Sequence, residues 1–178
     1  MYTKQILEAL NYLHNHDPRV VHGDLKAANI LVDGAKVKLT DFGDSRKIKT
    51  NNLLQSSVSE SGVVFKDEIK GSILWMAPEI LESGTVARRN DIWSLGCTII
   101  ELATAKNPWE NVKSLGELFS IYQKKEIPEI PDHLSDKCKN FIKRCLIYDH
   151  LQRPTSQELL QDPFILEVSD EASSPQAK

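Results

Sequence analysis

Asp24, Lys26 and Asn29 are spaced i, i+2 and i+5 within Val21-His22-Gly23-Asp24-Leu25-Lys26-Ala27-Ala28-Asn29-Ile30-Leu31, and Asp41-Phe42-Gly43 follows a short way downstream. The stretch is entered from Arg19-Val20-Val21 and leaves into the alternating Ile30-Leu31-Val32, which reads as a loop between a helix and a strand. The strand is expected to reverse at Asp33-Gly34, a dipeptide that adopts positive φ cheaply in a two-residue hairpin, and to return as Lys36-Val37-Lys38-Leu39-Thr40. That hairpin would carry Asp41 back beside Asn29. Two carboxylates, an ammonium and a carboxamide gathered this way are a kit for moving a phosphoryl group: the protein positions the reactants, holds Mg²⁺ through hard oxygens and neutralises developing charge. In that division of labour Asp24 takes or orients the proton of the accepting hydroxyl, Lys26 steadies the transferred group, and Asn29 and Asp41 hold Mg²⁺.

The elements that must position these residues are mostly helices. Ile6, Leu7, Leu10 and Leu13 recur at helical spacing, so the chain opens on an amphipathic helix with one core-facing stripe. His14 and His16 near its end read as solvated. Asn90 is expected to cap a further helix whose apolar residues Ile92, Trp93, Leu95, Cys97, Ile99, Ile100 and Leu102 lie on nearly every side, which predicts burial throughout. Asp91, at its start, is expensive to bury without partners. Leu115, Leu118, Phe119 and Tyr122 mark a shorter amphipathic helix, Pro128 and Pro131 interrupt, and Cys138, Phe141, Ile142 and Cys145 restore the spacing. Thr155 with Glu158 forms a capping box that predicts the start of the last helix.

A chain of 178 residues, 40% hydrophobic and 26% charged, suits one domain with a real core. No apolar run approaches membrane-spanning length, and Met1-Tyr2-Thr3-Lys4-Gln5 does not begin a secretory signal, so a cytoplasmic, non-membrane protein is expected. The net charge of −3 argues against a general nucleic-acid surface. Cys97, Cys138 and Cys145 form no C-x-x-C pair, which argues against disulfides and zinc. The basic run Arg46-Lys47-Ile48-Lys49 reads either as a solvated strand edge or as a local phosphate partner.

H-x-D-L-K-x-x-N followed by D-F-G resembles the catalytic loop and metal motif of eukaryotic protein kinases. Gly71-Ser72-Ile73-Leu74-Trp75-Met76-Ala77-Pro78-Glu79 resembles the end of a kinase activation segment, and Asp91-Ile92-Trp93-Ser94-Leu95-Gly96 the opening of the central large-lobe helix. Lys26, two residues past Asp24, follows the Ser/Thr pattern, and the combination is most similar to mitogen-activated protein kinase kinase kinases. The resemblance runs from about Tyr2 to Leu166 and covers the carboxyl-terminal lobe. It implies a mainly α, protein-kinase-like large lobe with a small β-hairpin carrying the catalytic and metal motifs, a partial kinase domain over residues 1–166, and a disordered tail over 167–178. No two glycines lie closer than Gly34 and Gly43 or Gly62 and Gly71, so no G-x-G-x-x-G loop is present and the amino-terminal lobe is expected to be absent.

By that resemblance ATP and Mg²⁺ are the cofactors and a protein Ser/Thr hydroxyl is the acceptor. Asp24 and Lys26 are the catalytic residues; Lys26, Asn29, Leu31 and Asp41 contact the nucleotide, with Leu31 as the floor under adenine; Asn29 and Asp41 ligate the metal. His22 packs under Phe42, Asp91 accepts the backbone N–H groups near His22 and Gly23, Arg153 pairs with Glu79, and Ser72 bonds Asp24 and Lys26. The 115–122 helix is a docking surface, and the segment containing Ser56, Ser57, Ser59 and Ser61 is an activation loop. Gly23 departs from the family's usual Arg, so the usual phosphorylation switch is in doubt, with Arg46 a candidate to supply the charge. Two alternatives remain: a noncatalytic binding module or truncated pseudokinase, and an aminoglycoside phosphotransferase-like enzyme suggested by His22-Gly23-Asp24-Leu25 with Asp41-Phe42-Gly43-Asp44.

Overall fold

The computed structural model of the chain describes residues 2–48 and 72–171, so the serine-rich stretch read as an activation loop lies outside the described residues. Helix α1 (Tyr2–Asn15) buries Ile6, Leu7 and Leu10. The next member of the buried stripe is His14, four residues after Leu10, while Leu13 is only half-buried. The expectation of a solvated His14 is therefore wrong: its side chain is 2% exposed, and only His16 is on the surface.

Strand β1 (Arg19–Val21) follows, then β2 (Ile30–Asp33) and β3 (Lys36–Leu39), which pair antiparallel with Asp33 opposite Lys36. That register makes Gly34-Ala35 the two-residue loop, one position later than the Asp33-Gly34 reading, with Gly34 at φ 58°. Strand β4 (Arg46–Ile48) pairs antiparallel with β1, Val21 facing Arg46, so the basic run is a strand in a second two-stranded sheet. The hairpin rests on α1, whose Gln5 bonds the loop and the start of β3 through Ala35 O (2.7 Å) and Val37 N (2.9 Å).

The rest is helical: α2 (Pro78–Ser83), α3 (Arg88–Thr104), α4 (Leu115–Gln123), α5 (Asp136–Cys145), α6 (Ser156–Leu159) and α7 (Pro163–Glu171). Helix α3 is the axis of the core, buried from Asn90 to Ile100, though Leu102 is exposed rather than interior. It packs on α5, α1, β1 and the Ile73–Trp75 turn. Asn90 is not its cap. The helix begins earlier, with Ala87 at the N-cap, and Asn90 in the first turn turns its side-chain oxygen back to the Ala87 N–H. Ser114, Ser135 and Thr155 do cap α4, α5 and α6, and Glu158 completes the expected box by accepting from Thr155 N at 2.7 Å. That box starts a helix of one turn only, and α7 is the true last helix. It makes residues 167–171 of the expected tail helical, while 172–178 lie outside the described residues.

Gly23 is held at φ +83°, and a Cβ there would stand 2.7 Å from the Asp44 carbonyl oxygen. Both the left-handed backbone and the contact penalise any side chain. Gly23→Ala is expected to destabilise the chain by about 1 to 3 kcal/mol; an unchanged thermal melt would show that the β1-to-α3 junction yields freely.

Candidate active site

The stretch from His22 to Ala27 is tied to α3 by one polar stripe of side chains. Asp91, Ser94, Thr98 and Glu101 follow one another at spacings of 3, 4 and 3, which places them on one helix face. Asp91 accepts from His22 N at 2.9 Å and His14 Nε2 at 2.7 Å on one oxygen, and from Gly23 N at 2.9 Å on the other. Ser94 donates to Trp75 O at 2.8 Å, and Thr98 lies 3.3 Å from Leu25 O. Glu101 accepts from Ala27 N and from the Trp75 indole N–H, both at 2.9 Å. One rigid helix thus sets the position of both the catalytic loop and the segment that ends at Glu79. Asp91 was expected here by resemblance. His14, Ser94, Thr98 and Glu101 were not, although polar residues recurring along one face of a helix otherwise read as fully buried were a usable signal.

His22 is buried between two partners: its Nε2 reaches Thr40 O at 3.0 Å, and its Nδ1 faces Asp24 N at 3.3 Å. A proton on Nε2 satisfies both contacts. The ring also packs 5.0 Å from Phe42, so it joins the loop to the Asp41-Phe42-Gly43 turn as a scaffold residue.

Asp24, Lys26, Asn29 and Ser72 converge. Asp24 Oδ2 accepts from Lys26 Nζ at 2.9 Å and Asn29 Nδ2 at 2.8 Å; Lys26 also donates to the Ser72 hydroxyl. Asn29 Nδ2 donates a second time, to Asp24 O at 2.7 Å, which commits its amide hydrogens and leaves its oxygen as the unbonded atom among the described residues. Asp24 is 8% exposed, and its Oδ1 is buried with no hydrogen-bond partner among the described residues. Burial pushes the Asp24 carboxyl up, but the nearby Ser72 hydroxyl, Lys26 and Asn29 outweigh it and hold the group below the ordinary carboxylate range. Asp24 is therefore ionised throughout neutral pH.

Asp41 is brought near but not into this network. Thr40, just before it, donates to Asn29 O from both N (2.9 Å) and Oγ1 (3.2 Å). The Asp41 backbone then turns left-handed at φ 59°, and its exposed carboxylate accepts only the Gly43 N–H (3.3 Å) among the described residues. Leu31, on β2, is 57% exposed and outside the cluster. No group of three His, Cys, Asp or Glu among the described residues would hold a metal unaided. The donor set still suits Mg²⁺, which takes one or two protein oxygens and completes its shell with phosphate and water: the free Asn29 oxygen and the exposed Asp41 carboxylate are of that kind.

Arg153 and Glu79 form the expected pair, two-pronged at 2.7 and 3.0 Å, with Arg153 fully buried and Glu79 7% exposed. Arg153 also donates to Ile147 O and Arg89 O, each at 2.8 Å, and stacks 5.2 Å from the Trp93 ring centre. Asn90 adds a bond to Glu79 at 2.5 Å.

The family model for the protein kinase domain matches residues 1–165. Mitogen-activated protein kinase kinase kinase 3 of Arabidopsis thaliana is 43% identical over 175 residues, covering 97% of this chain and 26% of the relative. Mitogen-activated protein kinase kinase kinase A of Dictyostelium discoideum is 40% identical, with 98% and 17% covered. Mitogen-activated protein kinase kinase kinase 3 of Homo sapiens is 38% identical, with 92% and 24% covered. The chain thus spans about a quarter or less of the length of these relatives. With the Asp24–Asn29 stretch tied to α3, the Glu79–Arg153 pair built as the resemblance implied, and a family match over nearly its whole length, the chain belongs to the protein kinase domain family.

Proposed function

We propose that these residues carry the phosphoryl-transfer part of a Ser/Thr protein kinase site, of the kind named in its relatives, which moves the γ-phosphoryl group of ATP to a protein Ser or Thr hydroxyl. The observation that carries the reading is the Asp24 carboxylate, ionised and buried, with one oxygen held by Lys26 and Asn29 and the other unpartnered. The carboxylate, 8% exposed, is the acceptor for the hydrogen bond of the incoming hydroxyl. A carboxylate held below its ordinary range is a weak base, so Asp24 orients the hydroxyl and takes its proton late, as the bond from the hydroxyl oxygen to phosphorus forms and the bond to the departing ADP breaks. Lys26 keeps an N–H for the phosphoryl oxygens. The Asn29 oxygen and Asp41 would hold Mg²⁺, and Leu31 would floor the adenine. When bound, Mg²⁺ supplies neutralisation of the phosphate charge. Helix α4 is the proposed docking element for the protein substrate or a regulator. No described helix is long and apolar enough to cross a membrane, and the proposed setting is the cytoplasm.

The small-molecule phosphotransferase reading lacks support in the Ala77-Pro78-Glu79 and Asp91-Ile92-Trp93-Ser94-Leu95-Gly96 structures. A noncatalytic module is favoured by one observation, the absence from these 178 residues of any closely spaced glycines to grip phosphates. Calorimetry of the chain with ATP separates the two. A Ser/Thr kinase half-site gives saturable, Mg²⁺-dependent binding with Kd of roughly 1 mM, lost in Asp41→Ala. Folded protein that binds no nucleotide, or binds equally with Asp41→Ala, supports the noncatalytic module.

A further inference from the structure

Beside α3's first turn and the end of α1, a cavity of about 550 Å³ is lined by His14 of α1, Arg19 of β1, Arg88 and Arg89 of α3, Thr155 and Ser156, with Ile92 and Leu151 as apolar wall; His14 is also the residue bonded to Asp91. Three guanidinium groups from two elements meet here, and among the described residues none forms an ion pair. Arg88 is tied down by one bond, from Nη1 to His14 O at 2.9 Å. The Arg89 Nε–H is buried with no partner at all among the described residues. Burial and the charges of Arg19 and Arg89 together hold Arg88 below its usual value, the mark of crowded like charges. Glu158 feels the Arg89 charge, and one of its oxygens, Oε2, is engaged by Thr155 N and Oγ1 at 2.7 and 2.8 Å.

Confining three cations around a single, partly engaged carboxylate is costly, and leaving a buried N–H unpaired adds to it. A bound anion supplies the missing counter-charge. Guanidinium forks match the oxygens of a phosphate bidentately. The cavity is much larger than a phosphate ion and is in the range of small-molecule sites, and its Ile92 and Leu151 side suits an apolar body. We propose that this pocket binds the phosphate group of a phosphorylated small molecule, at a site separate from the Asp24–Asn29 cluster.

The test is thermal shift and calorimetry with phenyl phosphate, at constant ionic strength and in EDTA so that the proposed metal ligands stay silent. Wild type is expected to melt several degrees higher at saturation and to bind phenyl phosphate more tightly than inorganic phosphate. Arg89→Gln and Arg19→Gln should each weaken binding roughly tenfold or more, yet without ligand melt no lower than wild type, because removing one of three repelling charges relieves the pocket. Equal affinity in wild type and both variants, a shift reproduced by chloride at the same ionic strength, or binding only of a phosphoserine peptide and not of phenyl phosphate would each overturn the proposal.

Discussion

Alanine in place of Glu79 or Arg153 is expected to cost about 3 to 5 kcal/mol, a fall in Tm of roughly 6 to 20 °C for a chain of this size. Arg153 is wholly enclosed, with two N–H groups on Glu79 and others on main-chain oxygens of Ile147 and Arg89. Removing Glu79 strands a buried guanidinium; removing Arg153 strands a carboxylate and frees three carbonyls, since Tyr148 O also faces Arg153 at 3.3 Å. The double variant should lose less than the sum of the singles, because neither charge is then left alone. Melting curves of the two singles and the double decide the matter, and singles that melt with the wild type would remove the pair from any role in holding Glu79's segment.

The second large effect is at Asp91. Three donors from two places, the end of α1 and the His22-Gly23 loop, aim at its two oxygens: His14 Nε2, His22 N and Gly23 N. An asparagine there offers one oxygen and an NH₂, so at least one buried N–H faces another donor. Asp91→Asn is expected to cost about 2 to 3 kcal/mol and also to weaken Mg²⁺-dependent nucleotide binding, although the residue touches neither ligand. The paired readout matters: a variant that melts low but binds nucleotide normally when folded would show that the loop keeps its shape without this anchor.

How far these features could be foreseen differs by the kind of signal each residue carries. The helices at α1, α3, α4 and α5 follow from apolar spacing, and Thr155 with Glu158 announced a cap because a capping box is a local interaction. The turn at Gly34-Ala35 was missed by one residue because register is decided by the pairing of the whole strand, not by the dipeptide. His14 was misread because a polar residue on a core stripe is costly unless it has a partner, and its partner lies 77 residues away. Asn90 looked like a cap for the same reason: its use depends on Glu79 and Ala87, which no local pattern shows. In the site, the types and spacing of Asp24, Lys26 and Asn29 pointed to their meeting. The orphaned Asp24 oxygen and the separation of the Asp41 carboxylate from that trio are properties of packing, and only coordinates show them.

The polar stripe on α3 has a consequence for the timescale of motion. Amides of irregular loops usually exchange with solvent through small local openings, but those of His22, Gly23 and Ala27 are bonded to Asp91 and Glu101 side chains of the most buried helix. Freeing them means breaking bonds to side chains anchored on α3, so the opening of residues 22–27 is expected to be coupled to that of the core. The same helix holds Trp75 through Ser94 and Glu101, so a ligand that orders either segment is expected to slow amide exchange in the other.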